Sequence, residues 1–256
     1  MEIRAPSRGN RRLEALFAAA NADPRLHAWW YMQQLNADRR DMSDHSWVHI
    51  QIVVNISLRL FRLLQRAGVE PAMVTEHGMK ARDAEVVIAA ACLFHDTGMS
   101  IHRTDHEQYS LFLAADRLPL LLDAIYDEPA LTVVTSEALH AVIGHRRHGE
   151  PITLEAGVVR VADALDMASG RSRVPFETRR PNIHSVSAAA IDAVTIEPGE
   201  ERAVRVEIEM NNSSGLFQVD GLLATKLRGS GIEEHIEVLA RIDAEHEKRL
   251  VTVFRI

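Results

Sequence analysis

His95 and Asp96 stand side by side at the end of an apolar run, Ala84-Glu85-Val86-Val87-Ile88-Ala89-Ala90-Ala91-Cys92-Leu93-Phe94. Apolar residues all around a helix imply that it is buried. A buried imidazole and a buried carboxylate are costly unless something compensates them, and a metal ion is the commonest strong compensator for such a pair. More residues of the same chemistry follow: His45 and His49 upstream, His102, His106, His140 and His145 downstream, then Asp163. Nine of the 13 histidines lie between His45 and His148. That clustering points to a polynuclear metal site rather than to one satisfied core histidine.

The elements that must position these groups are helical. From about Arg11 to about Ser169 apolar residues recur at three and four, as in Leu13, Leu16, Phe17 and Ala20. Asp23 before Pro24 reads as an N-cap with proline at the first helical position. A long helix is predicted from Ser46 to Ala67, closed by Gly68, with Val48, Ile52, Ile56, Leu60 and Leu63 on its buried face. Further helices are predicted at Asp83–Phe94, His106–Ala115, Leu118–Ile125, Leu131–Gly144 and Leu154–Met167. The stretch from Gly170 to Pro181, rich in arginine and proline, reads as a loop. Beyond it the period changes to two: Ala193–Glu197, Val204–Glu209, Ile236–Ile242 and Leu250–Ile256 read as strands, with a short helix at Val219–Leu227. The fold class expected is mostly α: a helical metal-binding domain over 1–169, a linker over 170–191 and a small α+β unit over 192–256.

Three runs carry a family pattern: Ser43-Asp44-His45-Ser46-Trp47-Val48-His49, Leu93-Phe94-His95-Asp96-Thr97-Gly98-Met99 and Val161-Ala162-Asp163-Ala164-Leu165-Asp166. In the order His … His-Asp … Asp they resemble the HD-domain superfamily of metal-dependent phosphohydrolases over roughly Ser43 to Met167. The resemblance implies that His49, His95, Asp96 and Asp163 hold one metal, with Asp96 the natural bridge to a second. His106 and His145 resemble the extra histidines of the two-metal branch. His140 and His102 are candidates to join them or to orient ligands, His102 also as a substitute for His106. His45, near His49, is expected to touch substrate or orient a ligand. Imidazole with carboxylate suits iron, manganese, zinc or nickel, and two such ions lower the pKa of bound water and clamp the oxygens of a phosphoryl group. Asp96 and His95 are the catalytic candidates. Arg103, Arg146 and Arg147 are candidate phosphate partners, as are Arg171, Arg173, Arg179 and Arg180. Met99 stands where many relatives carry a lysine that touches substrate, so substrate specificity is not carried over.

The reading is therefore a hydrolase of a phosphate ester or phosphoanhydride, its substrate a small phosphorylated molecule such as a nucleotide. A mixed-valent di-iron oxygenase shares this fold and ligand pattern, and ligand identity alone does not separate the two. A regulatory ligand-binding module is the third alternative; the complete ligand set argues against it. The formal net charge of -7 argues against a nucleic-acid backbone as partner. The single cysteine, Cys92, fits a reducing compartment. The first residues lack the apolar run of a signal peptide and no stretch approaches 18 apolar residues, so a cytoplasmic protein without a membrane segment is expected. The C-terminal strands make a homodimer a reasonable expectation.

Overall fold

The computed structural model describes residues 1–167 and 183–242, the side chains of the second stretch from 186 onward. The strand expected at Leu250–Ile256 and the arginines between 170 and 181 lie outside the described residues. The helical part runs α1 (Arg11–Ala22), α2 (Pro24–Asp38), α3 (Trp47–Arg66), α4 (Ala72–Thr75), α5 (Ala81–Phe94), a 3-10 turn (Thr97–Ser100), α6 (His106–Leu122), α7 (Ala130–Gly144) and α8 (Leu154–Leu165).

Local chemistry sets the helix starts. Asn10, Asp23, Ser46 and Thr153 each accept a backbone N–H of the first turn they precede, so donors that the helix leaves unpaired are satisfied. Gly68 ends α3 at φ +86°, a left-handed conformation that glycine adopts without a Cβ penalty. α5 is the axis of the bundle: every residue from Asp83 to Phe94 is buried, and α1, α3, α7 and α8 pack around it.

Several expectations change. α6 is one helix from His106 to Leu122, with Pro119 inside it, where two were expected. Ala114, Leu118, Leu121 and Leu122 are buried on one face, and that continuous packing outweighs the hydrogen bond lost at the proline. The buried face of α3 holds Leu60 and Leu63 as expected but is turned in its first half. Val48 and Ile52 are among the exposed hydrophobics, while His49, Ile50, Val53, Val54, Ser57 and Phe61 are buried. The turn follows from packing on α5 and α8, which face His49. α3 is long and apolar enough to span a bilayer by composition, which the sequence reading did not expect; most of it is buried inside the bundle.

The second stretch begins with a helix, α9 (Ile183–Ala189), inside the segment read as a loop. Strands β1 (Ile191–Pro198), β2 (Val204–Met210) and β3 (Ile236–Ile242) follow. β1 pairs antiparallel with β2, and β3 pairs parallel with β2, so β2 is central. Alternate residues of β2, Val204, Val206, Ile208 and Met210, are buried and join the same apolar cluster as the helices. Parallel pairing requires a crossover. It is made by a π-helical turn (Phe217–Leu223) running into a short helix, α10 (Ala224–Leu227). This crossover packs on α8.

Candidate metal centre

α5 ends in a turn that is held from two sides, by α6 and α2. Ser110 on α6 donates to the carbonyl of His95 at 2.7 Å and accepts from the N–H of Gly98 at 2.8 Å. Asn36 on α2 donates to the carbonyls of Met99 and Ser100. A Cβ on Gly98 would lie 1.9 Å from the carbonyl oxygen of His106. Only glycine lets α6 start directly over the turn. That close approach, with Asp105 left-handed at φ +59°, is how His106 reaches Asp96 from ten residues away.

The cluster is organised about Asp96. Its Oδ2 lies 3.4 Å from Nε2 of His49 and 3.5 Å from Nε2 of His95. Its Oδ1 lies 3.1 Å from Nε2 of His106 and 3.8 Å from Nε2 of His145. Asp163 on α8 completes the first group, its Oδ1 3.4 Å from His49 Nε2 and 3.8 Å from His95 Nε2. All six residues are buried. One carboxylate thus faces a pair of imidazoles with each of its oxygens. His49, His95 and Asp96 form one group able to hold an ion, and Asp96, His106 and His145 form another.

Three of the four rings have their outer nitrogen fixed. His49 Nδ1 meets Asp166 Oδ2 at 2.6 Å, His95 Nδ1 donates to the Cys92 carbonyl at 2.8 Å, and His145 Nδ1 donates to the Val142 carbonyl at 2.5 Å. Such bonds select the tautomer whose Nε2 lone pair points into the cluster. His106 differs. Its Nδ1 lies 3.1 Å from Glu107 Oε2, 3.1 Å from the Arg103 carbonyl and 2.6 Å from an Arg103 guanidinium nitrogen, so two acceptors and a donor compete for it.

Electrostatics separates the groups in the same way. Burial pushes the pKa of His95 down. Burial, the neighbouring His95 and Lys226 hold His145 down to about 3. For His106 burial opposes the charge, but Asp96 and Glu107 outweigh it and raise the pKa to about 9. Burial alone would raise both aspartates. His95, His106 and His49 instead hold Asp96 well below the usual carboxylate range, and Lys226, His49 and His95 do the same for Asp163. Nitrogen and carboxylate donors, converging and shielded from water, suit divalent transition metals. The buried imidazoles and carboxylates, with Nε2 atoms turned inward, contain two groups that could each hold such an ion.

The remaining candidates separate into two sets. His45 lies beside the cluster, its ring 5.6 Å from that of His49, with Nδ1 held by the Ser43 carbonyl at 2.7 Å. Together with Arg103 and Arg147 it lines a cavity of about 460 Å³ whose floor holds Asp96, His106, His145 and Asp163. His102 is exposed and contacts Arg40 and Thr104 instead of the cluster. His140 accepts from the N–H of Ile152 at 3.0 Å, fixing the loop before α8. Arg146 is exposed and does not line the cavity. The structure brings none of these three to the centre: His102 and Arg146 are turned outward by their loops, and the His140 ring is taken up by the chain at Ile152. Another cavity, of about 740 Å³ and lined by Arg66, Arg202 and Glu234, has none of the clustered ligands in its wall.

Two residues that sequence reasoning did not single out matter here. Lys226, on α10, places Nζ on Asp163 Oδ2. Arg160, one turn before Asp163 on α8 and only 3 % exposed, binds backbone carbonyls alone among the described residues. Its guanidinium donates to Arg146 at 2.5 Å, Gly149 at 2.8 Å and Arg147 at 2.9 Å in the loop after α7, and to Lys226 at 2.7 Å and Thr225 at 3.3 Å on α10. Neither residue has a local signal: each reads as an ordinary helical cation. The second aspartate of the run Asp163-Ala164-Leu165-Asp166 was the one available clue to the bond on His49.

Comparison with known proteins agrees with this geometry. The HD domain profile matches residues 46–168. An uncharacterized protein of Methanocaldococcus jannaschii is 36% identical over 207 residues, which cover 81% of this chain and 80% of that protein. Its similarity extends past the helical domain, since 81% of the chain exceeds the matched profile. With its His … His-Asp … Asp residues gathered in one buried cluster, the chain belongs to the HD-domain superfamily of metal-dependent phosphohydrolases.

Proposed function

We propose that this chain is a binuclear metal-dependent phosphohydrolase that cleaves a phosphate ester or phosphoanhydride of a small molecule. The observation that carries the reading is the division of Asp96: each carboxylate oxygen faces its own pair of imidazoles, at the floor of a cavity bordered by Arg103 and Arg147. When bound, two ions supply Lewis acidity toward a phosphoryl oxygen and lower the pKa of water.

The protein's own residues do the rest. His49 and His95 on one side, and His106 and His145 on the other, would hold the ions through Nε2. Asp166 holds the His49 ring in register. The helix ends that carry His95 and His145 are buried, which excludes water from one side of the reacting centre and leaves the cavity as the approach. Arg103 and Arg147 attract the phosphate from the mouth by charge and by forked hydrogen bonding. Asp96 and His95 touch the reacting atoms and are the catalytic residues of the reading. The net charge of -7 is compatible with a small phosphorylated substrate and unfavourable for nucleic acid, and a cytoplasmic location is proposed because the single cysteine, Cys92, fits a reducing compartment.

The test is metal analysis by mass spectrometry, paired with phosphate release from a panel of nucleotides and phosphomonoesters. About two ions per chain, with release abolished in Asp96→Ala, is the expected result. Two irons with an oxygen-sensitive mixed-valent signal and no phosphate release would transfer the protein to oxygenase chemistry. Absence of stoichiometric metal after reconstitution would overturn the reading.

A further inference from the structure

Asp163 divides its oxygens as Asp96 does, but asymmetrically. Oδ1 faces His49 and His95 at 3.4 and 3.8 Å, while Oδ2 carries Nζ of Lys226. The lysine contact and the ligand role therefore use different oxygens and can coexist. Lys226 does not belong to the helical domain. It comes from α10 in the crossover between the parallel strands β2 and β3, and it lines the same cavity as Arg103 and Arg147.

Its position is built. Arg160 donates to the carbonyl of Lys226 at 2.7 Å and to that of Arg147 at 2.9 Å, so one buried guanidinium sets the two cavity cations relative to each other. A Cβ on Gly157, one turn earlier on α8, would lie 2.1 Å from the carbonyl oxygen of Ser230; the backbone just after α10 is seated against α8 at closest approach. Met99, at the end of the His-Asp turn, is buried and brings no charge.

Charge balance indicates what the lysine is for. Arg40 and Asp41 in the cavity wall offset each other, and two divalent ions would offset the carboxylates of Asp96, Asp163, Asp166 and Glu107. Lys226, Arg103 and Arg147 would then stand around the cavity in positive excess. A cation beside a filled metal site is repelled by it unless an anion offsets it; Asp163 does this for Lys226 through Oδ2, and an ammonium has three N–H donors, of which this contact uses one. We propose that Lys226 is the phosphate-contacting cation of the centre, donating to a non-bridging oxygen of the substrate's phosphoryl group, so that the C-terminal unit completes the active site. This rests on the phosphohydrolase reading for the class of anion.

The experiment uses the full chain reconstituted with metal, as wild type, Lys226→Met and Lys226→Arg. Inorganic phosphate is titrated calorimetrically, and metal content and thermal unfolding are measured on the same samples. Loss of one charge-assisted hydrogen bond weakens binding roughly ten-fold or more. The expected result is that loss in Lys226→Met at unchanged metal content, with Lys226→Arg within about three-fold of wild type. Phosphate affinity that is unchanged in Lys226→Met overturns the assignment and leaves an ion pair that only fastens α10 to α8. So does a loss of phosphate binding that tracks a loss of metal, since the lysine would then act through Asp163. If Lys226→Met does not fold, Lys226→Gln takes its place in the same titration. Lys226-dependent phosphate binding in a wild-type protein that hydrolyses nothing would sink the hydrolase reading while keeping the lysine's role. Hydrolysis by wild type with phosphate affinity unchanged in Lys226→Met would do the reverse.

Discussion

The two sides of Asp96 are built differently. On the Oδ2 side, His49 and His95 come from helices in the middle of the bundle, Asp163 joins them, and both ring tautomers are fixed by Asp166 and the Cys92 carbonyl. On the Oδ1 side, His106 opens α6 and His145 follows α7, and the His106 ring sits between Glu107 and Arg103. The first side is ready for an ion. On the second, Asp96 and Glu107 raise the pKa of His106 to about 9, so below that pH an ion competes there with a proton. Metal loading is therefore expected in order, Oδ2 side first, because deprotonation and metal binding are linked.

The largest expected effect removes the comparison altogether. Asp96→Ala takes one ligand from each side, so metal content measured by mass spectrometry should fall from two ions to none and phosphate release should vanish; an Asp96→Ala protein retaining one tight ion would show that the carboxylate does not bridge.

Arg160→Met comes next. It strips donors from the carbonyls of Gly149, Arg146 and Arg147 beside His145 and from those of α10. Buried acceptors left without partners should cost about 3 kcal/mol or more in urea unfolding, with metal lost from the Oδ1 side first. Equal loss from both sides would mean that Arg160 supports α8 in general and not the loop of His145.

Asp166→Asn should bring the better-built side down. A carboxylate that orients a metal-binding imidazole is worth about 10–100-fold in metal affinity, and competition with a chelator reads this for the tighter ion alone. Unchanged affinity would show that packing alone holds the His49 ring.

The smallest effect is the dependence on pH. The folded-state pKa of His106 is raised to about 9 in the metal-free chain, above the ordinary imidazole value of about 6.5. Its charge thus stabilises the metal-free fold fully below about pH 6.5, and that contribution is lost as pH rises through about 9. Binding of the weaker ion should strengthen about ten-fold per pH unit up to that point, whereas the tighter ion should respond little. Equal slopes for both ions in calorimetric titrations would erase the distinction drawn here.

How much of this the sequence discloses depends on how local the signal is. His49, His95, Asp96 and Asp163 sit in short runs whose context is helical and apolar, and their partners lie on the same bundle. His106 was readable by type, but its reach to Asp96 depends on Gly98 and Asp105, which bend the chain within ten residues. Alternation marked the three described strands, yet nothing in a period of two says that β3 runs parallel to β2. The continuous α6 escaped because proline is a local breaker and the packing of Leu118, Leu121 and Leu122 is not local. Lys226 and Arg160 were silent for the same reason: their contacts span the loop after α7, α8 and the crossover, and a sequence pattern records only neighbours.

The parallel pairing of β2 and β3 has one further consequence. The stretch 211–235 is fastened at both ends by the sheet, and it presents Lys226 to a cavity whose candidate metal-binding groups, among the described residues, lie before residue 167. Insertions or exchanges within this bridge can reshape what the cavity accepts without altering a single metal ligand. On the role proposed for Lys226, selectivity and reactivity reside on separate segments of the chain.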